Sequence, residues 1–171
     1  MKVIAVGLQK NDQFMSNNFV RALEPGDEAF VTTLDLIKSS FAFMAGLIDP
    51  PSSVERLTLK NLKRMAEAGH VLVIGKPVIA CVVVTPLSHA LYLGKIAVDP
   101  SMRGQGVVRA LIEECEVLAK DLGKNCLELQ VRIELVQNEK VFTKLGFVKV
   151  SDDCHPGYNR VTEITMQKPL R

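Results

Sequence analysis

No apolar run in this sequence approaches the roughly 20 residues that a membrane-spanning helix needs, although 47% of its residues are hydrophobic. Charges interrupt every long stretch, so a soluble protein with no membrane partner is expected. The chain also lacks any Cys-x-x-Cys pair. Its four cysteines, Cys81, Cys115, Cys126 and Cys154, lie far apart, and three of them sit inside strongly apolar helix or strand patterns. Reduced, mostly buried thiols in a cytoplasmic protein follow, rather than a disulfide framework. His70, His89 and His155 are isolated from one another and from the cysteines at metal-ligand spacing, so no metal is expected. A basic stripe is missing too: the net charge is +2 and Lys and Arg alternate with Asp and Glu, which argues against nucleic acid as a partner. The opening Met1 to Lys10 has a very short apolar stretch closed at once by Lys10, Asn11 and Asp12, which is too little for a secretion signal.

What is present suits one compact domain, since 171 residues can bury most of their apolar surface around a single core. Residues 18–171 read as that domain. Residues 1–17 read as an N-terminal extension, with Lys2 to Leu8 as either an extra edge strand or an appendage. A first strand is expected at Phe19 to Leu23. Glu24-Pro25-Gly26-Asp27 then gives a turn and a helix start, with Phe30, Leu34, Ile37 and Phe41 at helical spacing. The two prolines in Gly46 to Ser53 break that helix, and a second is expected from Val54 to Gly69 with Leu57, Leu62 and Met65 inward. Val71 to Ile74, Val78 to Thr85 and Tyr92 to Val98 are β-branched runs separated by turn residues, an antiparallel meander. Gly106 to Leu122 carries a broad apolar helical face that stops before Gly123. A strand at Cys126 to Val131, a helix at Leu135 to Leu145 and strands at Phe147 to Val150 and Val161 to Gln167 complete an α/β (α+β) plan. It is a mixed sheet of about seven strands with helices on both faces.

The informative stretch is Val98-Asp99-Pro100-Ser101-Met102-Arg103-Gly104-Gln105-Gly106-Val107-Val108. Here two glycines lead from a strand into an amphipathic helix. Glycine lets the backbone turn tightly, and the first helical amides have no intrahelical acceptors, so they can converge on the oxygens of a phosphate or diphosphate. A helix-entry turn without any ligand would use the same residues. The dinucleotide fingerprint fails because Arg109 stands where its third glycine would be, and the Gly-Lys-Ser/Thr ending of the Walker loop is absent.

With Val98, Pro100, Arg103, Gly104, Gly106, Val107 and Leu111 in register, this stretch resembles the signature loop of the GNAT acetyltransferases. Val108 stands where a small residue is usual. The element order from Phe19 to Gln167 and the segment Phe142-Thr-Lys-Leu-Gly-Phe147 are similar to that family as well. The resemblance implies a GNAT fold that uses acetyl-coenzyme A as cosubstrate. The amides of Arg103, Gly104, Gln105, Gly106, Val107 and Val108 would bind the diphosphate, and Ile96, Ala97 and Val98 would pair with the pantetheine arm where the fourth strand parts from the fifth. Asn138 is a further cofactor candidate. An amide on the fourth strand would polarise the thioester carbonyl, and a base and an acid are needed to move protons.

The chain departs from the family at those last two roles. The family's frequent asparagine falls on Leu135 and its tyrosine acid on Phe142, and the carboxylate often found late in the fourth strand is replaced by Gly94 and Lys95. Substitutes are Glu128 or Gln130 on the fifth strand, His155 and Tyr158. Glu128 also reads as a solvated strand residue and His155 as a turn residue. Asp49, in a loop expected to border the acceptor site, could meet an ammonium group or serve as a turn carboxylate. The expected activity is direct transfer of acetyl to a primary amine of a small molecule, amino acid or peptide. The alternative is a non-catalytic acyl-coenzyme A-binding or sensing module. A homodimer is a common arrangement for such folds.

Overall fold

The computed structural model describes residues 19–170; the extension expected at residues 1–17 lies outside the described residues. Seven strands, β1 (Val20–Ala22), β2 (His70–Ile74), β3 (Ala80–Pro86), β4 (Ala90–Val98), β5 (Cys126–Arg132), β6 (Val148–Asp153) and β7 (Glu163–Pro169), form one sheet in the order β1-β2-β3-β4-β5-β7-β6. All neighbours are antiparallel except β4 and β5. The helices are α1 (Ala29–Phe41), α2 (Leu59–Ala68), α3 (Val107–Asp121) and α4 (Val136–Lys144). The expected mixed sheet with helices on both faces is what the chain forms, and the expected meander is β2 to β4.

Strand alternation sorts the core into two clusters. Val71 and Val73 of β2, with Cys81 and Val83 of β3, pack with Phe30 and Ile37 of α1 and Leu62 of α2. The intervening Leu72, Ile74, Val82 and Val84 face the other way, against Leu111, Ile112 and Cys115 of α3. A central strand apolar on both faces therefore reads as a continuous β-branched run, which is how β2 and β3 look in sequence. Leu127, Leu129 and Val131 of β5 and Ile164 and Met166 of β7 extend the α3 side toward Phe147.

Several boundaries differ from expectation. The helix expected from Val54 to Gly69 is two pieces: a 3₁₀ turn at Ser53–Arg56, capped by the Ser52 side chain, then α2. Leu57 is extended, with ψ 128°, and Thr58 starts α2 with a capping box. Its hydroxyl accepts the Asn61 amide while the Asn61 side chain accepts the Thr58 amide. Leu57 is buried as expected, but from the linker. β3 starts at Ala80 rather than Val78, and β4 begins two residues earlier than Tyr92. Phe147 is wholly buried ahead of β6 instead of within it, and β6 continues to Asp153 because it pairs with β7 through Glu163. Val161 is exposed and precedes β7, which runs on to Pro169 against β5.

Candidate active site

The parallel pairing of β4 with β5 covers only Ala90–Tyr92 against Cys126–Glu128. Past Tyr92, β4 stays bound to β3 as far as Val98, while β5 stays bound to β7 as far as Arg132. The two strands therefore part, and residues 93–98 of β4 present an open backbone edge toward β5. Ile96, Ala97 and Val98 lie on that edge, which opens earlier than the sequence suggested. Within it the β3–β4 register slips: Cys81 pairs with Ala97 and Val83 with Gly94, so Lys95 and Ile96 together oppose Val82. Such a bulge re-aims backbone groups. Lys95 takes φ 51°, a left-handed conformation uncommon outside glycine, and burial lowers the pKa of its amine.

At the wide end of the gap, Asp99 accepts the Ser101 amide at 2.9 Å and fixes a 3₁₀ turn at Pro100–Met102. The chain then passes through Gly104 (φ +76°) and Gly106 (φ +80°) into α3. Among the described residues, no acceptor meets the amides of Gly104, Gln105, Gly106, Val107 or Val108. The first bond into the helix runs from the Ala110 amide to the Gly106 carbonyl at 3.1 Å. A Cβ built on either glycine would have nothing within 4 Å. Five unpaired amides around open space at a 15-residue helix N-terminus fit an anion such as a diphosphate. Arg103 and Gln105 are exposed on the same turn, Val107 is buried beneath it, and Asn138 is exposed on α4.

The face of the sheet opposite α3 carries the polar candidates. Tyr92 of β4 and Glu128 of β5 are paired across the closed end of the gap. Glu128 accepts from Gln167 Nε2 at 2.7 Å, and His89 Nε2 lies 3.4 Å from its carboxylate. Its side chain is only 15% exposed, so it is not a freely solvated strand residue. His155 is held at both ring nitrogens, with Nδ1 2.6 Å from Thr162 Oγ1 and Nε2 3.5 Å from Glu163 Oε2. Tyr158 donates its hydroxyl to Asp49 at 2.6 Å, and Arg160 donates to both the backbone oxygen and the carboxylate of Asp49 at 2.9 Å. The Tyr158 bond and the Arg160 charge hold the Asp49 carboxyl below its usual range. The same bond raises the pKa of Tyr158. Asp49 thus meets a guanidinium of its own chain. Arg132 donates to the Pro50 and Thr162 carbonyls at 2.7 and 3.1 Å, so the loop after α1 is tied to the end of β5.

Sequence reasoning missed three residues here. Glu163 and Thr162 reach His155 only because β7 inserts between β5 and β6, and nothing local announces that order. Tyr92 could have been noticed as one of two tyrosines in the chain, placed at the start of the strand whose parting from β5 was expected. Phe142, where the resemblance led to the expectation of a tyrosine acid, packs edge-to-face on Phe147 with ring centroids 5.8 Å apart, and Leu135 is buried just before α4. Among the described residues, no group of three or more His, Cys, Asp or Glu side chains could hold a metal ion, and no helix is long and apolar enough to cross a membrane.

The model of the acetyltransferase (GNAT) family matches residues 35–147, close to two thirds of the sequence. The chain belongs to the GNAT acetyltransferase family. Solved structures agree in fold. An acetyltransferase from Streptococcus agalactiae superposes with a TM-score of 0.71 at 14% identity, covering 90% of this chain and 99% of its own. A GNAT acetyltransferase from Elizabethkingia anophelis, solved with acetyl-coenzyme A bound, gives 0.64 at 16% identity, covering 90% and 99%. The ribosomal-protein-S18-alanine N-acetyltransferase of Escherichia coli gives 0.65 at 19% identity, covering 90% and 94%. No curated protein shows a significant sequence match to the chain. As a GNAT member the chain belongs to a family that uses acetyl-coenzyme A.

Proposed function

We propose that this GNAT protein is an N-acetyltransferase that moves acetyl from acetyl-coenzyme A to a primary amine of a small molecule, amino acid or peptide. The amine attacks directly in a ternary complex. The observation that carries the reading is the parting of β4 from β5 after Tyr92, with the unpaired amides before α3 at the open end. In this reading the amides of residues 104–108 hold the diphosphate, the expected Arg103 amide being taken instead by the Pro100 carbonyl at 3.4 Å, and the open edge at Ile96, Ala97 and Val98 pairs with the pantetheine arm. Asn138 on α4 borders the same ligand. Acetyl-coenzyme A supplies an activated thioester; the protein supplies position, a polarising backbone amide near the Lys95–Ile96 bulge, and proton transfer.

Glu128 and His155 are the candidates for taking the amine's proton, since each is held by neighbours in a partly buried, polar setting. Tyr158 serves better as an acceptor-side latch through Asp49 than as an acid, because its hydroxyl is committed to a carboxylate. The buried thiols Cys81 and Cys115 suit a reducing cytoplasm and take no part: burial pushes both up to about 12, so neither supplies a thiolate. The polar face suits a dissolved amine acceptor, and a homodimer is compatible with β6 as an edge strand among the described residues.

The test is release of free coenzyme A thiol from acetyl-coenzyme A against a panel of amines, amino acids and peptides. The proposal expects amine-dependent release and a product heavier by one acetyl group. Binding of acetyl-coenzyme A without release would favour the alternative, a sensing module, for which the observation is Phe142 in place of a tyrosine acid.

A further inference from the structure

Phe142, which the sequence resemblance sets where a tyrosine acid is expected, spends its ring on packing against Phe147 and has no proton to give. A departing thiolate still benefits from one. Tyr92 is the last β4 residue paired with β5, opposite Glu128, yet its hydroxyl does not meet Glu128. It donates to Gln130 Oε1 at 3.3 Å, two residues further along β5 and past the point where the strands part. The ring runs along β4 in the same direction: a Cβ at Gly94 would stand 3.2 Å from Tyr92 Cε1, so the absent side chain at 94 is what gives the phenol its lane. The hydroxyl therefore spans the gap at its narrow end, at the head of the open edge that carries the Lys95–Ile96 bulge. Its bond to Gln130 is long for a hydroxyl donor and easily exchanged for another acceptor.

We propose that Tyr92 is the proton donor to the leaving sulfur, replacing the acid that Phe142 cannot provide. This rests on the acetyltransferase reading above. In the step, the neutral amine nitrogen bonds to the thioester carbonyl carbon, the C–S bond breaks, and its electron pair takes the Tyr92 proton to give the free thiol. The nitrogen gives up a proton, and a solvent proton restores the phenol. The charged groups that reach the hydroxyl are Glu128 on β5, itself beside His89, and Glu163 on β7, itself beside His155. With burial as the larger cause, their charges push the phenol up to about 12, so it stays protonated at neutral pH and serves as an acid, not a base.

The chain has two tyrosines and no tryptophan, so a tyrosine probe is nearly free of background. With tyrosine labelled at Cζ with carbon-13, Tyr92→Phe assigns the two resonances. Saturating coenzyme A should shift the Tyr92 signal and leave the Tyr158 signal in place. Tyr92→Phe, which keeps the ring, should lower kcat about a hundredfold, within the usual span for a general acid, while calorimetric affinity for coenzyme A stays within about twofold. A fluorinated, more acidic tyrosine placed at 92 should make kcat fall as pH rises through its ionisation and recover on acidification, which a packing role would not produce. An unmoved Tyr92 resonance at saturation, or unchanged kcat in Tyr92→Phe, overturns the assignment to Tyr92 alone. If the unaltered protein binds no acetyl-coenzyme A or releases no thiol with any amine, the underlying reading fails and this assignment with it.

Discussion

Replacing Gly106 separates the ligand role of the turn before α3 from its structural role, because the same helix carries its own control. Gly106 precedes α3 with φ +80° and Gly123 follows it with φ +65°, and a Cβ at either meets nothing within 4 Å. An L-residue in that conformation costs about 1–2 kcal/mol. In a domain of this size each kcal/mol lowers Tm by roughly 2–4 °C. Gly106→Ala and Gly123→Ala should therefore destabilise alike, by several degrees in a thermal melt. Only Gly106→Ala places its methyl on the turn that carries the five unpaired amides. Loss of a single charge-assisted hydrogen bond, about 1.5–3 kcal/mol, corresponds to roughly a ten- to hundredfold rise in the Kd for coenzyme A, and Gly106→Trp should abolish binding. Isothermal calorimetry on the three folded variants reads this directly. Equal affinities in Gly106→Trp and Gly123→Ala would refute the placement of the diphosphate.

Other expectations follow from the same contacts. Of the four cysteines only Cys154 is exposed, so a thiol reagent at mildly alkaline pH should titrate one equivalent rapidly, and the others only on unfolding. Tyr158→Phe should bring the Asp49 carboxyl back up toward its ordinary range in a carbon-13 titration. The depressed native pKa means that the clasp contributes stability above the ordinary carboxylate pKa, and that this is lost as pH falls through the lowered value. The difference between the two proteins in acid-induced unfolding should thus be confined to acidic pH. Phe147→Ala, which empties a fully buried site between α4 and the sheet, should cost about 3–5 kcal/mol in denaturant unfolding. Glu128→Gln keeps the contact with Gln167 but removes the charge; if Glu128 takes the amine's proton, kcat should fall at least tenfold with coenzyme A affinity unchanged.

Much of the fold was legible because its signals are local. α3 shows its apolar face and its terminal glycine in sequence, and β2 and β3, apolar on both faces, read as unbroken β-branched runs. The split before α2 was missed because Leu57, Leu62 and Met65 mimic one helical face, while Thr58 and Asn61, which restart the helix, look like ordinary polar residues until their reciprocal bonds are seen. The amide-lined turn was legible for the same local reason, as glycines before a helix. The polar face was not: Glu128 meets Gln167 across 39 residues, and Tyr92 reaches Gln130 across 38. Such contacts depend on strand order and on where two strands separate. Asp49 shows the same limit, since Arg160 and Tyr158 come to it from a turn more than 100 residues away.

The most direct test of the whole account is a calorimetric titration of the unaltered protein with acetyl-coenzyme A. The account predicts saturable one-to-one binding in the micromolar range that weakens sharply in Gly106→Trp, whereas no heat of binding from a folded protein would contradict it.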